Sequence, residues 1–575
     1  MLVAWLVRVS FKRWQRLLLA MGILVPQHAM ALRSPPEGMT RPLPWHACKQ
    51  RGQRHFDALV FGDEPAGIMT ALELKRQLVR LRHLPHPQVV LVADPDTRAA
   101  IGGVLSRSGL AYLDRNQVPG DLRPPLDRFS PSSDLYRRFL VLAGVETIAA
   151  DRFRVSQGLR RALRLAGIPV LDRAHSLGAS LEGGRLCTLQ TRQWGRLGAD
   201  QFVDASMGAR LAHLAGVDFA SGLGSGPLAK NSLSLGWIFE LEGLSLSDLQ
   251  RSEERLSRRL LDSGDSQAQA WLRHWPAYAH DPQQLKRDLL DPDRKPRLLF
   301  ANSADSADQR SPAIPIAFHG SASIVPGLRL AQVRLDRANV AILPGRLSIN
   351  ALLFRNDAAT NRRVLARGSR PLPWMRPYAA SISHFFRGLG ARRVVWMPEL
   401  YVRNADQLAH PVTPLTAKWM GWGGVPANQA LGSFTYKLDF RGGFPGLERT
   451  PPQPDPTFNF GYRHTLPREI GNLAVLGPAA GYGGLGEGVG RIVELNVSVG
   501  AGVAIAAVLA GQNHTTLAQL DPIKVAQLLE RRGLIVGRPT VESPRQRLWR
   551  WVSRQYAQKW PGLFRCCRGL DQTKL

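Results

Sequence analysis

The chain has 575 residues, 44% of them apolar and 21% charged, enough for a large core and more than one domain, which excludes a fibrous or broadly disordered protein. Lys and Arg number 75 against 45 Asp and Glu, a formal net charge of +30, and such an excess attracts nucleic acid, anionic membrane or acidic ligands. The basic residues are spread along the sequence without zinc-finger spacing or an aromatic RNA-binding motif, so nucleic acid is not expected, while peripheral membrane contact stays open.

In chain order, a basic region ending FKRWQR precedes the apolar LLLAMGILVP, and the small-x-small AMA (Ala29 to Ala31) follows. That is the order of a secretory signal, and the apolar run is too short to span a bilayer. Residues 1–31 therefore read as a signal peptide and the protein as exported, periplasmic or lumenal. A mis-assigned start, with Met21, Met30 or Met39 as the true beginning, would leave it cytoplasmic. Residues 32–54 read as a Pro-rich linker. The four cysteines, Cys48, Cys187, Cys566 and Cys567, match neither a zinc site nor a disulfide framework, and no metal site is expected.

Patterned sequence starts at His55. FDALVF is a buried-strand candidate, and PAGIMTALELKRQLVRL carries apolar residues near a 3.6 period, with Pro65 tolerated in the first helical turn. PQVVLVADP is a second apolar strand. Strand, glycine turn, helix and parallel strand form a βαβ unit. From Arg152 a helix ending at Gly167, the strand IPVL, a hairpin turning at Gly183-Gly184 and the strand GADQFVDAS follow. The segment from Gly216 to Thr450 is less regular. Near the end come the strand NLAVLG, the glycine-rich PAAGYGGLGEGVGR and the apolar helix ELNVSVGAGVAIAAVLAG. That helix invites a membrane-spanning reading, but its glycine and alanine content and polar ends suit close packing against a cofactor or strand better.

In a dinucleotide-binding turn the first glycine bends the chain, the second lets backbone approach pyrophosphate, and the third packs helix on strand. Gly62 and Gly67 take the first and third places, Glu64 the second, with Pro65 and Ala66 between. Asp94, closing the second strand, suits the acid that accepts bonds from ribose hydroxyls.

These residues resemble the FAD-dependent oxidoreductases of glutathione-reductase-like fold. Members of that family typically read V-V-V-x-G-G-T-P-A-G, V-L-L-V-E-P and then a Gly-Gly pair; here stand ALVFGDEPAG, VVLVADP and IGGVLSRSGL, with Gly102 and Gly103 as the pair. FVDASMGARLAHLAG resembles the family's V-I-D-A-T-G-D-G-D-L-A-x-L-A-G. Asp204, Ala205 and Gly216 match and Ser206 stands for Thr, while Met207 replaces a glycine and Arg210 an acid. Tyr401 and Arg403 match a Y-x-R segment; Tyr436 and Asp439 match S-x-x-x-Y-x-x-D-x-H, with Arg441 for the histidine. The closing motif keeps Gly477 and Arg491 and has Pro478 for an arginine.

The resemblance implies an α/β protein: a Rossmann-like FAD-binding domain with a central parallel sheet (55–215, closed by 451–512), an inserted mixed α+β substrate domain (216–450), and a C-terminal helical tail (513–575). It implies non-covalent FAD held at Gly62, Glu64 to Gly67, Asp94, Gly102, Gly103, Asp204 to Ser206, Gly477, Gly484, Gly486, Gly488 and Arg491. Chemistry would be hydride transfer between that flavin and a small organic substrate, with the electron acceptor open. Arg403 is the candidate anion clamp and Tyr436 the candidate hydrogen-bond donor or acid; a structural role is the plainer alternative for each. Glu64 beside a diphosphate must turn to solvent or meet a cation, Arg107 or Arg491. Two further readings stand beside the oxidoreductase: a non-catalytic descendant acting as a binding or assembly protein, and a basic protein associated with membrane or polyanion.

Overall fold

The computed structural model describes residues 48, 52–117, 131–224, 228–273, 275, 278, 281–321, 332–441, 443 and 456–531. The expected signal peptide, nearly all of the linker, the tail beyond 531 and the Cys566-Cys567 pair lie outside them.

The apolar run at the start forms β1 (Arg54–Phe61), which opens through Gly62 into α1 (Pro65–Arg82). Pro65 opens α1, where its missing N–H would have had no intrahelical acceptor. Next come β2 (Val89–Val92), the short helix α2 (Gly103–Ser106) and α3 (Arg152–Leu165), whose start is capped by the Asp151 side chain accepting from Phe153 and Arg154 N–H. β3 (Val170–Leu171) leads into the hairpin β4 (Ser176–Glu182) and β5 (Arg185–Thr191), then β6 (Gly195–Asp204). The middle segment supplies β7 (Leu235–Glu242), β8 (Phe300–Ser303), β9 (Ser306–Asp308), β10 (Val333–Leu343), β11 (Arg346–Phe354) and β12 (Arg393–Trp396). The chain returns as β13 (Leu473–Val475), α4 (Val493–Gln512) and α5 (Pro522–Arg531).

One sheet has the order β3-β2-β1-β6-β5-β4, and β13 pairs with the C-terminal half of β6, where β5 no longer covers it. β3, β2, β1, β6 and β13 are all parallel. Their registers bring Phe61, Val92, Leu171, Asp204 and Val475 to one edge. Alternate residues serve opposite faces: Ala58, Val60, Val89, Leu91 and Val203 pack against α1, α3 and α4, while Leu59, Phe61, Val90, Val92 and Phe202 form a separate core on the other side. The middle segment builds its own antiparallel sheet, β12-β7-β11-β10-β9-β8, over a third core. A two-stranded ladder, Gly432–Thr435 with Thr457–Phe460, crosses the expected domain boundary at 450.

α4 is long and apolar enough to cross a membrane, yet it is buried inside the protein. Its glycines explain the fit. A Cβ at Gly500 would lie 2.2 Å from Thr70 Oγ1 of α1, so the two helices touch through a side chain that is not there. The cysteine reading needs correction: Cys48 and Cys187 form a disulfide across 139 positions. Spacing could not show a pair that joins the segment before β1 to β5 only once the sheet has formed.

Candidate functional site

Ligands of parallel α/β sheets bind beyond the C-terminal ends of the strands, and part of the expected site gathers at that edge. Gly62 has φ 101 and donates its N–H to the Val92 carbonyl at 2.7 Å; a Cβ there would sit 2.4 Å from Ser206 N. At Gly67 a Cβ would lie 2.6 Å from the Ala205 Cβ. The two retained glycines thus make the bend and the close packing the sequence implied. Glu64, Pro65, Ala66, Ala205, Ser206, Gly477 and Arg491 line one cavity, together with Met207, Tyr401 and Pro478. α4 brings Val493 and Asn496 of its first turns to the same wall.

That cavity holds about 30 Å³. One water needs roughly that much space, and a small-molecule site usually offers about 300 Å³ or more. A larger open groove of about 720 Å³ lies among α1, α3 and the helix Asp134–Ala143, and none of the expected site residues lines it.

The protein's own carboxylates fill the space where an anion is expected. Asp63 Oδ2 accepts from the N–H groups of Gly102 at 3.2 Å and Gly103 at 3.4 Å, and Glu64 Oε2 accepts from Val104 N–H at 2.9 Å. At Gly103, with φ 44, a Cβ would meet the Glu64 carboxyl carbon at 2.2 Å, so the Glu64 side chain would have to move. Arg107 grips Asp63 with both terminal nitrogens and donates from Nε to Glu399 at 2.7 Å. Burial works to raise the Asp63 pKa, but the Arg107 guanidinium outweighs it and holds the carboxyl below its ordinary range. Glu64 goes the other way: burial, then the Asp63 charge, pushes its pKa up to about 8. The expected choice for Glu64, solvent or a cation, applies with a diphosphate bound; here the side chain has neither. Arg107 and Arg491 are both engaged with other groups, and Glu64 stays at the turn, accepting a backbone N–H and neutral near pH 7.

Other residues also have partners. Asp94 closes β2 as expected, but its carboxylate accepts from Ser176 N–H and Oγ and from Arg210 Nε, at 2.9, 2.6 and 2.9 Å. Asp204 is fully buried and accepts from Ser206 N–H and Oγ and Ala212 N–H, so it shapes the turn after β6. Burial raises its pKa to about 6. Arg403 does not face the cavity as a clamp. Its Nη1 donates to the Ser234 carbonyl at 2.6 Å, Nη2 reaches Asn350 Oδ1 at 3.4 Å, and the guanidinium lies over the Tyr401 ring. Burial, with Arg491 and Arg441 adding to it against Tyr401, lowers its pKa to about 10.

The closing glycines divide. Gly477, at φ 124, has open space where a Cβ would go and lines the cavity. Gly484, Gly486 and Gly488 instead pack on middle-segment backbone, at Leu223, Leu415 to Ala417 and Leu438 to Asp439. At Gly486 and Gly488 the missing side chain admits that backbone.

Around Arg491 the resembling residues do converge. Its Nη1 donates to Tyr401 Oη at 2.8 Å and reaches Asp114 at 3.5 Å, and Nη2 donates to Asp439 at 2.6 Å. Tyr436 hydrogen-bonds Asp114; burial, then the Asp114 and Asp439 charges, hold its phenol well above the usual pKa. Sequence reading missed Asp114, Asp63 and Glu487. Glu487 is fully buried, and neither carboxyl oxygen has a hydrogen-bond partner among the described residues; burial raises its pKa well above the usual value. An acid inside GLGEGVGR was the available signal. Away from the site, Asp218, His410 and Glu469 bring their ligand atoms within 4.8 Å of one another, and two of the three residues are exposed.

Residues 57–530 match the family described as FAD dependent oxidoreductase. No curated protein matches the sequence. Among solved structures, a geranylgeranyl bacteriochlorophyll reductase-like protein from Thermoplasma acidophilum is similar at 11% identity and TM-score 0.34, over 89% of this chain and 98% of that one. The myxobacterial chondrochloren halogenase CndH is similar at 12% identity and TM-score 0.34, over 83% of this chain and 79% of that one. PqsL from P. aeruginosa, solved with 2-aminobenzoylacetate, is similar at 11% identity and TM-score 0.32, over 84% and 94%. No residue correspondence follows from likenesses this distant.

Proposed function

The chain belongs to the FAD dependent oxidoreductase family, and from that premise we propose that it transfers a hydride between a small organic substrate and a non-covalently bound flavin. The observation that carries this reading is the meeting of the first and last motifs: the Gly62 turn, Gly477 and Arg491, far apart in sequence, line one cavity at the C-terminal edge of the parallel strands.

The donor set suits a diphosphate. The N–H groups of Gly102, Gly103 and Val104 already hold anionic or carboxyl oxygens, with Asp63 and Glu64 standing in for phosphate. The room does not suit it while those side chains remain. With them displaced, these amides, the Gly62–Gly67 turn and Arg491 are the residues that would hold FAD, which when bound supplies a two-electron acceptor. Tyr436, bonded to Asp114, keeps its proton at neutral pH and is the group for hydrogen bonding or protonating a substrate. Arg491 gathers Tyr401, Asp439 and Asp114 and fixes their geometry.

The test is to purify the protein with saturating FAD and mix it anaerobically with panels of small organic reductants. Bleaching of a bound flavin band by one class supports the reading. Folded protein that stays colourless overturns it and leaves the non-catalytic descendant. Export is part of the same proposal: the signal-like N-terminus is supported by the Cys48–Cys187 disulfide, since such bonds persist in oxidising compartments.

A further inference from the structure

We infer that Asp218, His410 and Glu469 form a binding site for one divalent transition-metal ion of zinc's kind. The site lies away from the cavity described above and does not rest on the flavin reading.

The backbone brings the three residues together. Gln407–Leu408 pairs antiparallel with Phe219–Ala220, and one step further the Ala409 N–H donates to the Asp218 carbonyl at 3.0 Å. On its other side the same segment meets the chain leading to β13. There the Arg468 N–H donates to the His410 carbonyl at 3.1 Å, the Val412 N–H donates to the Leu466 carbonyl at 2.9 Å, and Pro411 and Pro467 form an antiparallel bridge. His410 therefore sits on a central segment tied to that of Asp218 on one side and to that of Glu469 on the other. One ligand atom from each of the three side chains lies within 4.8 Å of the other two. An ion with bonds of about 2.1 Å brings its ligands to within about 4 Å of one another. A small rotation of the two exposed side chains, Asp218 and His410, supplies that closing.

A second observation asks for a cation. Both carboxyl oxygens of Glu469 are buried, and neither has a hydrogen-bond partner among the described residues. A carboxylate out of water without a partner is costly, and proteins pair such groups or give them to a metal. Arg468, next in sequence, directs its Nε to the Pro411 carbonyl at 3.3 Å rather than to Glu469.

The donor set selects the ion. One imidazole nitrogen and two carboxylates suit first-row transition ions, zinc among them, whereas calcium and magnesium take oxygen ligands throughout. Three protein ligands, two of them exposed, leave the fourth position to water. An ion held there fastens the start of the middle segment, its late part and the chain returning to β13. Only tertiary structure joins these three stretches, so spacing along the sequence could not show the site.

The experiment strips the whole protein with a chelator and adds Zn2+ alone as the probe. Calorimetry reads stoichiometry and affinity, and the thermal midpoint is taken with and without the ion. Native protein is compared with Asp218→Asn and His410→Gln, both at exposed positions where folding should be undisturbed, and with Glu469→Gln. The site predicts one zinc per chain and a midpoint that rises with added zinc. Each variant should bind at least about tenfold more weakly, with a midpoint that no longer responds. Without zinc, Asp218→Asn and His410→Gln should match the native midpoint, and Glu469→Gln should match or exceed it, because the unpaired buried charge is gone. Native protein that binds no zinc overturns the site. Zinc bound equally by the native protein and all three variants overturns it too, and places the ion elsewhere, the Cys566-Cys567 pair included. Magnesium or calcium bound as tightly as zinc, and lost in the same variants, overturns the choice of ion. The flavin reading stands under each of these outcomes.

Discussion

The turn from Gly62 to Gly67 and the loop from Gly481 to Gly490 are both glycine-rich and both sit where the family pattern expects cofactor. They use glycine for different visitors. In the first, Gly62 and Gly67 admit the Ala205-Ser206 backbone and side chain, and the small cavity lies alongside. In the second, Gly486 and Gly488 admit backbone of the middle segment, while Gly484 makes only an ordinary contact with it. A glycine pattern reports that something approaches closely, without saying what approaches.

The contrast can be broken by adding a methyl group. Gly62→Ala places a Cβ 2.4 Å from Ser206 N at a φ of 101, combining left-handed strain with overpacking against backbone. It should destabilise by about 3 kcal/mol or more in urea unfolding. Gly484→Ala is strained by its φ of 59, but its nearest neighbour is the Leu223 carbonyl at 3.5 Å, an ordinary contact. About 1 kcal/mol is expected there. Equal losses would mean that the two regions are packed alike.

Removing Arg107 comes next in size. Arg107→Ala leaves Asp63 and Glu399 without their shared cation, and breaking a buried pair from one side costs about 3 kcal/mol. The same denaturation series reads it, and a loss below about 1 kcal/mol would show that the pair is solvated.

Much of this was legible in the sequence, and the limits have physical reasons. Period and punctuation placed β1, α1, β2, α3, the β4–β5 hairpin and β13, because each is set by local apolar spacing and nearby glycines. Gly62, Gly67, Gly477 and Arg491 could be placed because motif order fixed which strand ends they follow. The partners of Asp94 and Arg403 could not, since Ser176, Arg210, Ser234 and Asn350 reach them only through tertiary contacts. Asp63 escaped notice for another reason: beside Glu64 it reads as a solvated turn residue, and its role appears only when Gly102 and Arg107 close over it.

A pH-dependent effect follows from Glu64 itself. Its folded pKa of about 8 lies above the ordinary 4.5, so its contribution is full below the ordinary value and is lost as pH rises through the folded one. Glu64→Gln should therefore gain stability relative to the native protein as pH rises from about 5 to 8, by at most about 1.4 kcal/mol per pH unit. Asp204 and Glu253, also raised by burial, keep their share of the native slope. Parallel pH profiles for the two proteins would place the Glu64 carboxyl in solvent.

The most direct measurement is flavin occupancy. Native protein and Glu64→Thr are purified at pH 7 with added FAD, and the flavin-to-protein absorbance ratio is read for each. A flavin-binding protein whose Glu64 opposes the diphosphate predicts flavin in the native protein and an equal or higher ratio in the variant. A colourless native protein would contradict the flavin reading, and a marked fall on Glu64→Thr would make Glu64 a positive contact to the cofactor.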